Sequence, residues 1–174
     1  MDYYTKSASR KTLRTLSVLF RYLFGVNNKD KFPVLWALEK IGLVFEGTKV
    51  FILNDDELPS NIPARCYPDK NGNFTIEIKN SVYLGAMKKG IGAYNGFICP
   101  EMCYVFLYKL GYTPVFNRQF DNNKIPAYCS VEWQTKALCG EVMMPYDETA
   151  KLNIKQIMDK YGVSKGFALT RKKY

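Results

Sequence analysis

Glu101 sits between two cysteines in the run CPEMC, residues 99–103, and a second acidic and thiol-bearing stretch follows with Glu132 and Cys139 in VEWQTKALC. Carboxylates, thiols and hydroxyls carry any chemistry here, because the chain of 174 residues contains no histidine. That removes the commonest general base, the usual pH switch near neutrality and the commonest metal ligand. On a helix Cys99 and Cys103 are one turn apart and share a face. Cys139 on a facing helix would add a third thiolate, a donor set that suits a closed, structural zinc site. The competing account is that all three cysteines are small buried apolar groups, as unpaired cysteines usually are. The sequence favours that account, so no metal and no cofactor is expected. A cysteine nucleophile would have no imidazole to take its proton. Glu101 reads either as a general base with a raised pKa or as a carboxylate near a helix N-terminus, where the helix dipole favours it. Without a metal to activate water, the second reading is preferred.

Hydrophobic residues make up 47% of the chain, enough to bury a core, and the length suits one domain. No apolar run approaches the ~18–20 residues that span a bilayer. The opening MDYYTKSASRKTLRTL lacks the apolar core and small-residue cleavage site of a secretory signal. A cytoplasmic protein with no membrane span is the expectation. The five cysteines (Cys66, Cys99, Cys103, Cys129 and Cys139) are odd in number and fit reduced thiols. The net charge of +9 invites nucleic acid, an anionic surface or an acidic protein. Its basic residues are spread over 6–21, 88–89 and 165–173 without interleaved aromatics, so nucleic acid is an open but not a favoured partner. Residues 161–171, with Gly162 at a turn and Ser164 opening a basic helix, could pass for a turn and helix of a DNA-binding unit.

The elements that must hold these groups follow from periodicity. Residues 1–8 are polar and read as frayed. Leu13, Leu16, Phe20 and Leu23 recur at spacings of three and four, which predicts an amphipathic helix over 9–24 carrying Arg10, Lys11, Arg14 and Arg21. Such a helix lies on a membrane surface or, more often, packs on its own domain or a partner. Residues 1–30 are therefore set apart as a polar segment and amphipathic helix, and 31–174 as the main domain. A second helix is expected over 33–41, stopped by Gly42, then strands at 43–45 and 49–53. Alternation of Phe74, Ile76 and Ile78 with Thr75, Glu77 and Lys79, after the turn Pro68-Asp69-Lys70-Asn71-Gly72, predicts a hairpin of 64–67 with 73–79. Helices are expected over 82–88, 96–110, 131–143, 151–161 and 164–172, with a loop holding Pro114 and Pro126 between the second and third. The layout is α+β, a small antiparallel or mixed sheet packed on helices.

Three stretches in order resemble the ImmA/IrrE family of metallopeptidase-like proteins. Residues 62–98, IPARCYPDKNGNFTIEIKNSVYLGAMKKGIGAYNGFI, are similar to the family's sheet and the connector into its active-site helix. Residues 99–112, CPEMCYVFLYKLGY, lie where the family carries HExxH, and residues 131–145, VEWQTKALCGEVMMP, are similar to its E-W-Q-A-N-x-F-A-A-x-L-L-M-P helix. The tail YGVSKGFALTR is similar to the closing V-S-x-x-A-x-x-R. The resemblance covers residues 32–171 and implies a zincin-like fold.

Placing Glu101 on the motif glutamate puts Pro100 and Tyr104 on the two zinc histidines, and neither side chain replaces an imidazole. Glu132 is the candidate for the third ligand, with Gln134 as the other choice. Glu101 and Glu132 would then be relics of a lost site, with Tyr104 and Tyr108 filling its space. The resemblance implies a pseudo-peptidase of a mobile-element, phage or stress-response setting that binds another protein or peptide, for instance a helix-turn-helix repressor, without cleaving it. Phe74, Thr75, Ile76, Glu77, Ile78 and Lys79 are the candidate peptide-binding strand, read as an edge that pairs with an extended segment. The alternatives are an unorthodox metal-dependent peptidase using Cys and Glu ligands, and a basic nucleic-acid-binding regulator.

Overall fold

The computed structural model describes residues 2–88, 92–115 and 125–174. They form α1 (Arg10–Leu23), α2 (Val34–Val44), β1 (Thr48–Leu53), β2 (Ala64–Pro68), β3 (Phe74–Lys79), α3 (Asn80–Met87) and α4 (Gly92–Lys109), followed by a 3-10 turn at Ala127–Cys129, α5 (Val131–Met143), α6 (Tyr146–Thr149), α7 (Ile154–Tyr161) and α8 (Lys165–Lys173). The α+β layout is as expected. No helix among the described residues is long and apolar enough to cross a membrane.

The hairpin forms where turn chemistry places it. Asp69 accepts hydrogen bonds from the Asn71 and Asn73 amides at 2.7 and 3.0 Å, and Gly72 takes the left-handed φ of 78° that closes the turn. The sheet order is β1-β3-β2, with β1 parallel and β2 antiparallel to β3. This corrects the reading of residues 74–79 as an edge strand. β1 pairs with β3 along its whole length, so the ladder groups of β3 are taken on both sides and cannot receive a peptide. Phe74, Ile76 and Ile78 face the core as their alternation predicts. Lys79, expected to be wet, is also buried and donates to the Ser60 carbonyl at 3.3 Å.

The predicted strand at 43–45 does not form, because α2 continues through it; Phe45 N–H still bonds Ile41 O at 2.7 Å. Gly42 is not a stop signal. It is a point of close approach, where a Cβ would lie 2.9 Å from the Thr48 carbonyl oxygen.

Residues 2–8 are not frayed. They run as an arm against the segment leading into α5, with Thr5 N–H on Cys129 O and Ala8 N–H on Tyr128 O, each at 2.8 Å, and Val131 N–H on Tyr3 O at 3.0 Å. Asp2 accepts from the Ser130 hydroxyl and from Glu132 N–H. Ser9 then caps α1 through the Thr12 amide. The helix packs against α5 with Leu13 and Phe20 inward, while Leu23 of the expected stripe is exposed and Phe24 is buried in its place. Phe20 meets the rings of Phe24, Phe32, Phe45 and Phe106 at centroid distances of 5.1–6.2 Å, which joins α1, α2 and α4 in one aromatic cluster. Such ring pairs each add about 0.5–1.5 kcal/mol beyond the area they bury.

Arg21 and Glu141 are the most deeply buried charges among the described residues. Arg21 is fully buried, and its guanidinium donates to the carbonyls of Val142, Asn27 and Asp30. Burial lowers its pKa, opposed by Tyr161, Asp30 and Cys99. Glu141 of α5 is 1% exposed and faces Arg171 at 2.9 Å, Arg14 at 3.3 Å and Arg10 at 3.8 Å. One carboxylate therefore ties α1 and α8 to α5. Breaking a buried ion pair from one side costs about 3–5 kcal/mol, because the remaining charges stay desolvated. Glu141→Gln is expected to lower unfolding free energy by about that amount in urea titrations. Lys136→Gln, which breaks the exposed Lys136–Glu132 pair, should leave it nearly unchanged.

Candidate functional site

Helix α4 carries the motif region, and its backbone is unusual. Pro100 lies inside it, without a break, although proline in a helix interior costs about 3 kcal/mol by deleting one hydrogen bond and crowding the turn before it. The helix begins at Gly92, before the expected residue 96. Gly96, four residues ahead of Pro100, gives the α8 ring of Phe167 its place: a Cβ there would sit 2.9 Å from the ring.

From α4, Glu101 reaches toward β2. It is partly buried, and burial pushes its carboxyl up to about 7. The Cys66 thiol of β2 lies close enough to feel its charge, although burial is the main reason that thiol is raised. Tyr104, one turn on, is pushed up to about 12, by burial first and then by Cys66 and Tyr108. The Tyr104 and Tyr108 rings pack edge-on against Phe74 of the central strand at 6.0 and 5.0 Å. The Glu101 region is thus a carboxyl that is half protonated near neutrality, walled by a thiol and phenols. It can exchange a proton or accept a hydrogen bond.

Next to this carboxyl runs an open strand edge. Asp69 N–H bonds Asn73 O at 2.8 Å and Lys79 N–H bonds Pro63 O at 3.1 Å. Alternation along an antiparallel ladder then turns Arg65 and Tyr67 to β3 for backbone bonding, and points the N–H and C=O groups of Ala64 and Cys66 outward. Among the described residues no strand pairs with that side of β2. On the sheet face away from Cys66, Glu77 accepts from Arg65 at 2.5 Å and from the Tyr67 hydroxyl at 2.9 Å.

The other candidate residues have different places. Glu132 is exposed at the start of α5 and pairs with Lys136; among the described residues no hydrogen bond or ion pair joins it to Glu101. Gln134 is buried and donates to the carbonyls of Lys6 and Tyr128 at 2.8 and 2.7 Å, fastening the N-terminal arm. Cys99, Cys103 and Cys139 do come together in the core between α4 and α5, with the Cys99 and Cys103 sulfurs 4.0 Å apart. Hydrogen bonds from Cys103 and then Cys139 lower the Cys99 thiol, with Arg21 nearby, but the thiol is fully buried. Among the described residues no group of three His, Cys, Asp or Glu side chains has an arrangement that could hold a metal ion.

Cys66 and Glu141 were not singled out from the sequence, yet each left a signal. The hairpin register sets Cys66 opposite Ile76, hence on the inner face. Glu141 lies on the same helical stripe as Leu138, where a carboxylate must be paired to be buried. No protein-family model matches the chain, and no curated protein or solved structure matches it.

The raised Glu101 carboxyl has a pH signature. Its pKa is about 7 in the fold against an ordinary value of 4.5, so its proton contributes stability that is fully present below pH 4.5 and lost as pH rises through 7. With some solvent contact retained, the loss should be about 1–3 kcal/mol. Glu101→Gln should remove this fall when denaturation midpoints at pH 5 and pH 8.5 are compared with those of the parent.

Proposed function

We propose that the protein is a non-catalytic, zincin-like relative of the ImmA/IrrE metallopeptidases that holds an extended segment of another protein, such as a helix-turn-helix repressor, without cleaving it. The observation that carries this reading is the pairing of an open β2 edge with Glu101 on the adjoining helix. That is a strand-addition groove with a proton-holding carboxyl beside it and no imidazole to seat a metal. The groove needs only backbone groups, so binding survives the replacement of ligand positions by Pro100 and Tyr104. The peptide would pair with Ala64 and Cys66, moving the docking strand from residues 74–79 to β2. Its side chains would meet Arg65 and Tyr67 on one face.

A nucleic-acid role gains little from the charge of the chain. Each described arginine already has an internal partner: Arg10, Arg14 and Arg171 on Glu141, Arg65 on Glu77, and Arg21 on backbone carbonyls. The forked side chains best suited to phosphate therefore form no exposed stripe that could follow a nucleic-acid backbone.

Amide exchange with peptides tiled from helix-turn-helix repressors tests the proposal. A bound peptide should slow exchange at Ala64 and Cys66, leave Thr75 and Glu77 unchanged, and be recovered intact. Protection elsewhere, or stoichiometric zinc with hydrolysis abolished by Glu101→Gln, would refute it.

A further inference from the structure

A cavity of about 460 Å³ opens between α4, α5 and α8, on a face of α4 neighbouring the one that carries Glu101. Its walls are apolar and aromatic: Phe97 and Pro100 from α4, Trp133 and Ala137 from α5, and Phe167 from α8. That volume is within the range of small-molecule sites, and such sites pair an apolar body with a few placed polar groups. Here the charged groups are all cationic. Arg10, Lys136 and Arg171 line the cavity, and no acidic side chain does.

The charge is not cancelled from behind. Among the described residues Glu141 is the acidic side chain in contact with the arginines, and it is shared by Arg10, Arg14 and Arg171, while Arg14 also donates to the Tyr174 main-chain oxygen at 2.6 Å, so the cluster keeps surplus positive charge. Arg171 is 6% exposed and held by Glu141 at 2.9 Å, and its Nε and Nη2 are sealed from solvent, so it places charge behind the wall and offers no direct contact to a ligand. Arg10 is held over the rings of Tyr174 and Trp133 at 4.2 and 5.4 Å, which fixes a partly exposed guanidinium at the rim. Gly140 completes the wall. A Cβ built there meets nothing within 4 Å, so the space in front of it is empty.

We propose that this cavity binds an amphiphilic carboxylic acid, with its apolar body against Trp133 and Phe167 and its carboxylate on Arg10 at the rim. An apolar molecule alone would fill the volume and make no use of the Arg10 charge at the rim. A small polar anion would meet the charge and leave the aromatic walls wet. One molecule carrying both features satisfies both.

Trp133 reports directly on the site, so fluorescence titration of a Trp36→Phe protein with decanoate and decanol tests the proposal. Decanoate should bind saturably and decanol about tenfold more weakly, the difference that one charge-assisted contact makes. Gly140→Leu fills the empty space at a helical position where leucine is the better helix former, so it should melt no lower than the parent and bind no decanoate. Arg10→Gln should bring decanoate toward decanol. Absence of saturable decanoate binding, equal affinity for the alcohol, undiminished binding to folded Gly140→Leu, or a full preference for the acid in Arg10→Gln would each overturn the assignment.

Discussion

Three arginines converge on the buried carboxylate of Glu141, and the arrangement of the helices depends on it. Arg10 and Arg14 stand one turn apart on α1, and Arg171 comes from α8. A carboxylate taken out of water is tolerable only when donors meet it, and here all three arginines converge on Oε1. Sharing among three spreads that cost over α1 and α8, and α1 is tied to α5 a second time by Arg21 on the Val142 carbonyl. Hydrophobic burial supplies most of the stability, but it is nondirectional. The ion cluster supplies the direction: α1 and α8 must approach α5 at the heights where their arginines reach one glutamate. The rings of Tyr146 and Tyr174 beneath Arg14 and Arg10, at 3.6 and 4.2 Å, fix the guanidinium planes further.

The same cluster changes what the net charge of +9 means. A basic amphipathic helix at residues 10–23 has the composition of a membrane-surface or nucleic-acid-binding element. In the fold its arginines are turned to the interior, Arg10 and Arg14 toward a carboxylate and Arg21 into carbonyls, and its lysine remains outside. The positive surface is therefore largely lysine, which is strongly hydrated and suits solubility and long-range attraction more than bidentate recognition.

What the sequence made legible was local. The Asp69–Gly72 turn, the bounds of α5, the capping of α8 by Ser164 and the left-handed stop at Gly162 all depend on residues within a few positions of one another. What it hid was nonlocal. Parallel pairing of β1 with β3 needs a connection through β2, and nothing within either strand records the partner. The N-terminal arm looks polar and free because its hydrogen bonds go to residues beyond 114. Gly42 carries the composition of a stop, but close approach to Thr48 is what requires it. In the candidate site, the cysteine cluster followed from helical spacing, whereas the separation of Glu132 from Glu101 depended on which way α5 turns. The exposed first turn of α5 carries Glu132, and the inner face carries Gln134, Leu138 and Glu141.

The Glu141 cluster also bears on how the chain is made. Synthesis delivers α1 first, with Arg10 and Arg14 facing no anion, then α5 with its carboxylate, and α8 after both. Until Arg171 arrives, one third of the cation set is missing and the carboxylate stays hydrated. Contacts that bridge sequence separations as large as that between α1 and α8 pay their loop-closure entropy late. Packing of α1 on α5 needs no residue of α8, whereas the full cation set around Glu141 forms only when all three helices are present.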